Sequence, residues 1–194
     1  METVTIDKIK NKTGKGLNMK LAKSPTHYII NGTPQSGKDT FVDELINLMN
    51  SDNLKADKMS SVGSIKIAAI FLGWDGNKDE KGRNFLSDLK DLSIKYYDGP
   101  FNEIKEAMSL NPEYTFFFFI REPREIEKLI DSCGKGKFKT VCAVREIDNS
   151  NRITNHADQN VYDFEYDHII LNNGTLNDFK QSAENFYKTV IKKQ

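Results

Sequence analysis

One stretch, Ile29-Ile30-Asn31-Gly32-Thr33-Pro34-Gln35-Ser36-Gly37-Lys38-Asp39-Thr40, constrains this chain more than any other. An apolar run leads into a loop bracketed by Gly32 and Gly37, and a helix-patterned segment follows. Without side chains at the two ends of the turn, consecutive backbone N–H groups can converge on phosphate oxygens. A helix starting near Gly37 aims the positive end of its dipole at the same point. Lys38 then reaches the β and γ phosphates as a point charge, and a nearby hydroxyl can hold magnesium. The residues Gly32, Thr33, Pro34, Gln35, Ser36, Gly37, Lys38, Asp39 and Thr40 are thus the candidate nucleotide-binding set. Phosphoryl transfer or nucleotide hydrolysis is the chemistry they imply. The usual pattern has Ser or Thr directly after the lysine, whereas here Asp39 stands there and Thr40 comes one place later. The bland alternative is a glycine-rich turn with a solvated lysine, and the strand before and helix after argue against it.

A chain of 194 residues suits one domain with a substantial core. Lys plus Arg and Asp plus Glu are each 28, so no overall field draws the chain to nucleic acid or to a membrane, and a polyanion site must be local. Cys133 and Cys142 lack metal-ligand spacing and read as reduced thiols, which fits a cytoplasmic location. His27, His156 and His168 are too dispersed for a metal site. The N-terminal stretch has no apolar core of the kind a signal peptide or anchor needs, and no run approaches transmembrane length. A homodimer is compatible with the sequence.

Along the chain, residues 1–25 are polar and lysine-rich and read as a flexible extension, with a short hairpin or a partner-binding arm as alternatives. Core strands are expected over residues 26–31, 114–120, 138–144 and 167–171, and a weaker one over 56–60. The third stretch in chain order carries four consecutive phenylalanines, the pattern of a strand covered on both faces. Helices are expected over residues 37–50, 64–72, 81–93, 101–110, 123–132 and 176–192. Strands alternating with helices predict a three-layer α/β/α fold around a mainly parallel five-stranded sheet, with ligands at the carboxyl ends of the strands. Residues 146–166 are polar and lie between two strands. A connection of that length is a lid over phosphates or a surface excursion with a helix of its own.

Phosphoryl transfer needs cations around the moving group and a rigid seat for both substrates. Arg121, Glu122 and Arg124 directly follow the phenylalanine strand, Arg145 follows the next one, and Arg152 lies in the connection. The planar, permanently charged guanidinium suits phosphate. Each arginine taken alone fits equally well as the partner of a surface carboxylate. Glu122 either orients an acceptor or a magnesium-bound water, or begins the next helix, where a negative charge is favoured. Arg83 either reaches an acceptor phosphate or pairs with Asp79 or Asp88. Trp74 either stacks on a base or anchors its glycine-rich turn.

Taken together, these residues resemble a known family. Gly32-x-Pro34-x-x-Gly37-Lys38-x-Thr40 is similar to the loop of nucleoside monophosphate kinases, where threonine commonly stands two places after lysine. The form Ser36-Gly37-Lys38-Asp39-Thr40 resembles most the deoxynucleoside monophosphate kinases of bacteriophages. Further matching pieces follow in order: Arg83-Asn84-Phe85-Leu86, Glu122-Pro123-Arg124, Val144-Arg145, His156-x-Asp158, and the run from Asp167 to Leu176. The phage pattern has Asp where Glu122 stands here.

The resemblance implies a P-loop kinase domain over residues 26–194, with acceptor-binding helices near 62–110 and a lid near 146–166. It implies that the loop and Lys38 bind ATP, that Thr40 faces magnesium, and that Asn173 and Gly174 border the adenine. Arg83, Glu122 and Arg124 would seat the acceptor, while Arg145 and Arg152 would neutralise transferring charge. The expected reaction is transfer of the ATP γ-phosphoryl to a nucleoside monophosphate, a deoxy one on the phage resemblance. Its rivals are a P-loop kinase for another phosphorylated metabolite and a nucleotide-binding protein without turnover.

Overall fold

The computed structural model describes residues 24–145 and 160–193. Five strands are found among them: β1 (His27–Asn31), β2 (Ala56–Ser60), β3 (Thr115–Phe119), β4 (Phe138–Val144) and β5 (His168–Leu171). The helices are α1 (Lys38–Ser51), α2 (Gly63–Phe71), α3 (Glu80–Tyr97), α4 (Gly99–Leu110), α5 (Pro123–Cys133) and α6 (Leu176–Phe186). The strands form one sheet in the order β2-β3-β1-β4-β5, every neighbouring pair parallel. The expected strands and helices are thus present, and the expected α/β architecture is the one observed.

The phenylalanine strand shows why the sheet needs two covering layers. Successive side chains point to opposite faces. Phe117 joins Tyr28, Ile30, Val141 and the apolar faces of α1 and α6 on one side. Phe116 and Phe118 join Ile29, Phe138, Ile104 of α4, and Ile126 and Leu129 of α5 on the other. Phe117 and Phe118 are wholly buried, and each contributes about 2–3 kcal/mol by leaving water. Tyr28 pairs in register with Phe117, and their rings stack at 5.3 Å between centroids.

The helix ends follow local chemistry. Thr175 and Asp178 form a capping box at the start of α6, and Asp79 caps α3 through the Gly82 N–H at 2.8 Å. The final helix differs from expectation at one place: after Phe186 it widens into a π turn over Tyr187–Ile191. There the Tyr187 hydroxyl donates to Asp52 at 2.5 Å and the Lys192 ammonium meets the same carboxylate at 2.6 Å.

This topology places the site. The chain leaves β1 toward the face carrying α1 and leaves β3 toward the face carrying α5, so a crevice opens at the carboxyl ends of neighbouring strands. Among the described residues no helix is long and apolar enough to cross a membrane.

Candidate active site

The loop between β1 and α1 has a backbone that few sequences can adopt. Gly32 has φ 147° and Gly37 φ 94°, both in the left-handed half of the map, and Gln35 joins them at φ 63°. A Cβ on Gly32 would lie 2.5 Å from the Ala143 carbonyl oxygen. One on Gly37 would lie 2.5 Å from Asn172 Nδ2 and 2.8 Å from the Phe179 ring. Both glycines are therefore required by conformation and by space. Gly37 is also the N-cap of α1 and brings no side-chain acceptor to its first turn. The first N–H groups of a helix have no intrahelical partner, and with the dipole they make an anion site.

Asn31 holds the entrance of this loop. Fully buried at the end of β1, it accepts the Gly32 N–H through Oδ1 at 2.8 Å. Its Nδ2 donates to the Arg121 carbonyl at 2.9 Å and to the Tyr166 hydroxyl at 2.7 Å. Tyr166 in turn donates to the Val161 carbonyl at 2.7 Å, and burial pushes its phenol well above the usual range. Asn31 also pairs in register with Cys142, whose buried thiol is raised to about 11, against the opposing pull of Lys38. A thiol with that value is neutral and does not compete for the loop's cation.

Lys38 is buried, and its ammonium donates to the Thr33 carbonyl at 3.2 Å, folded back over its own loop. Thr33 and Ser36 are buried behind the loop, and the Ser36 hydroxyl has no hydrogen-bond partner among the described residues. In front lies a cleft of about 380 Å³ lined by Gln35, Gly37, Lys38, Asp39, Thr40, Arg145, Asn172, Gly174, Leu176 and Phe179. Asp39 and Thr40 are exposed there. The structure therefore brings together the loop, Arg145 from the end of β4 and Gly174 from beyond β5. Asn173 is not among the cleft-lining residues.

Asn172 and Phe179 are site residues that sequence reasoning missed. The Asn172 amide donates to the Ser36 carbonyl at 3.0 Å, and its backbone N–H to Val144 at 2.7 Å, so it ties β4, β5 and the loop together. Phe179 packs its ring beneath Gly37. The only advance signal was the polar Asn172-Asn173 pair at a strand end.

A second set of charged residues follows β2 and β3 in the chain. Lys66 of α2 is half-buried, and its ammonium has a lowered pKa, first from burial and then from Lys78 and Arg121, with Asp39 opposing. Arg83 donates from Nε to the Lys78 carbonyl at 2.6 Å. Glu122 is the N-cap of α5 without a side-chain cap bond, and Arg124 is exposed on its first turn. Trp74 donates to the Asn77 carbonyl at 2.9 Å and so fastens its own turn. Arg152, the His156-x-Asp158 motif and most of the expected lid lie outside the described residues, as does most of the 1–25 extension. His27 lies at the opposite end of β1, accepting the Phe116 N–H at 3.3 Å through Nδ1.

No protein-family model matches this sequence, and no curated protein matches it. Solved structures do match. The dephospho-CoA kinase of Campylobacter jejuni aligns with a TM-score of 0.50 at 16% identity, over 87% of this chain and 98% of that one. The APS kinase of Mycobacterium tuberculosis in complex with AMPPNP and APS gives 0.49 at 9% identity, over 86% and 100%. A sugar kinase from Janibacter gives 0.45 at 12% identity, over 87% and 97%. At these identities the likeness is one of fold. With its β2-β3-β1-β4-β5 parallel sheet and a glycine-bracketed loop running from β1 into α1, the chain has the fold of the P-loop kinases.

Proposed function

We propose that this protein transfers the γ-phosphoryl group of ATP to a (deoxy)nucleoside monophosphate, releasing ADP and a nucleoside diphosphate. The observation that carries this reading is the division of charge around Asp39. Loop backbone, Lys38, Asp39 and Arg145 line one cleft, and Asp39 is also in charge range of Lys66, which senses Lys78 and Arg121 as well. A hydrolase needs the cleft only. Two cationic regions that meet over adjacent strand ends fit two phosphate-bearing substrates.

In this reading the loop N–H groups and Lys38 hold the donor's β and γ phosphates, and Lys38 leaves the Thr33 carbonyl to do so. Arg145 faces the same cleft and stabilises charge spread over the transferring group. Hard oxygen donors for magnesium are present, because the Thr40 hydroxyl and the Asp39 carboxylate both line the cleft. Thr40 would hold the ion, which supplies charge neutralisation between donor phosphates when bound. Glu122, Arg124 and Arg83 lie on the acceptor side in the same reading, Gly174 and Asn173 beside the donor base, and Arg152 on a lid that excludes water. The protein then acts in the cytoplasm on small molecules, with neither nucleic acid nor membrane as a partner.

A second reading keeps the mechanism and changes the acceptor to another phosphorylated metabolite. It is favoured by the chemistry of the acceptor side, where the charged groups recognise a phosphate and Trp74 is engaged with its own turn. The deciding experiment is ADP formation from ATP with magnesium, across ribo- and deoxynucleoside monophosphates and then phosphorylated metabolites. Turnover confined to one or a few nucleotides is the expected result. Turnover only with a metabolite supports the second reading, and AMPPNP binding without turnover on any acceptor refutes both.

A further inference from the structure

The three strands β2, β3 and β1 end level with one another, since Ser60 pairs with Phe119 and Phe119 with Ile30. Just beyond those ends come Lys66 in the first turn of α2, Arg121 two residues past β3, and the loop with Asp39 past β1. The ends are knit together: Ser61 N–H donates to the Phe119 carbonyl at 3.2 Å and Asn31 Nδ2 to the Arg121 carbonyl at 2.9 Å. Lys78, whose carbonyl accepts from Arg83, is in charge range of Lys66.

Lys66 is unfavourably placed for a structural lysine. It is half-buried, and among the described residues its ammonium has neither a hydrogen bond nor an ion pair. It stands where the helix dipole repels a cation, in a first turn that carries no acidic residue. Two further cations lie close, and the acid in range, Asp39, also belongs to the donor cleft. Desolvation, dipole and like charges all act against a charged Lys66 in the unliganded protein. An anion bound among the three cations would offset these penalties by its attraction to each of them.

We propose that Lys66 binds the phosphate of the acceptor, with Lys78 and Arg121 completing the seat, and that this seat selects a phosphate monoester dianion over an uncharged hydroxyl acceptor. The proposal rests on the kinase reading above for the word acceptor, while the anion seat itself rests on the level strand ends, on the half-buried, unpartnered Lys66 and on the cations in charge range of it. Asp39 then marks the boundary between donor and acceptor phosphates.

The test uses the full chain with its donor site saturated by AMPPNP, titrated with inorganic phosphate by calorimetry. Wild type binds one phosphate. Lys66→Met binds it at least about tenfold more weakly, as expected for loss of a hydrogen bond to a charged group. Lys66→Arg retains binding within a few-fold, and the AMPPNP affinity of both variants is unchanged, which also shows that they fold. The proposal is overturned if wild type binds no phosphate beside AMPPNP, or if Lys66→Met binds it as wild type does. With an acceptor from the turnover panel, Lys66→Met raises the acceptor KM by a similar factor and leaves the KM for ATP alone. Lys66-dependent phosphate binding without turnover on any acceptor would sustain the seat and refute the kinase reading, so the two failures are distinct.

Discussion

Asn31 offers a sharp test of how the loop is held. Its amide makes three bonds, to the Gly32 N–H, the Arg121 carbonyl and the Tyr166 hydroxyl, at 2.7–2.9 Å and with the side chain fully buried. Asn31→Ala removes all of them, at about 1 kcal/mol net each. Gly32 is itself buried, so its N–H is left without a partner and adds about 1–2 kcal/mol. Tyr166 is not stranded, because it keeps its donation to the Val161 carbonyl. The sum is about 4–5 kcal/mol, a large fraction of the 5–15 kcal/mol typical of a domain. Urea unfolding followed by circular dichroism measures it. Tyr166→Phe supplies the second arm of a double-mutant cycle with Asn31→Ala, and the two changes should couple by about 1 kcal/mol through their shared bond. AMPPNP affinity should fall in Asn31→Ala as well, since the Gly32 N–H loses its fixed direction. A cost below about 1 kcal/mol, or additivity within about 0.3 kcal/mol, would refute the account of Asn31 as the tie between loop, Arg121 and Tyr166.

Four other outcomes are expected. Gly32→Ala forces a Cβ to 2.5 Å from the Ala143 carbonyl at φ 147°, and should cost more than about 2 kcal/mol in thermal unfolding while abolishing AMPPNP binding. Lys38→Ala should lose nearly all transfer and keep the fold, and Arg145→Lys, which retains charge without the planar fork, should lower kcat at least about tenfold with little change in the KM for ATP. His27 is held neutral by burial first and Lys137 second, its pKa lowered from 6.5 to about 4. The unfolded state therefore binds a proton that the folded state refuses. Stability present above pH 6.5 should drain away as pH falls toward 4, by at most about 1.4 kcal/mol per unit, and no further below it. His27→Gln should shrink that slope in urea titrations at matched pH, and an unchanged slope would show that His27 protonates in place.

How legible the site was depends on which physical rule encodes each part. The loop is written in backbone constraints: glycine where φ is positive, lysine at the helix start, an apolar strand before, all within a dozen residues. The parallel sheet follows from alternating strands and helices, and even β2, with its polar Asp57-Lys58, was expected as a weaker strand. Asn172 and Phe179 were missed since their partners, Ser36 and Gly37, lie more than a hundred residues away, and nothing local distinguishes a bridging asparagine from a loop one. The π turn after Phe186 was equally hidden. Its cause is tertiary, the Asp52 carboxylate engaging both Tyr187 and Lys192, while the local pattern continues as an ordinary helix.

Lys66 is the instructive intermediate case, because a local signal existed. A lysine in the first turn after a strand, with no acid to offset the helix dipole, opposes the usual distribution of charge. Where a sequence departs from a local preference without structural compensation, a functional or strained site is expected. In the proposed reading the two halves of the site differ in kind. The donor half depends on main-chain geometry that almost any substitution of Gly32 or Gly37 destroys, so its chemistry is fixed by the fold. The acceptor half depends on side-chain charges delivered by α2, by the turn before α3 and by the segment after β3, and each can change without disturbing the backbone. In that reading acceptor identity is the property that single substitutions at Lys66, Lys78 or Arg121 redirect, while the use of a nucleoside triphosphate donor stays with the loop.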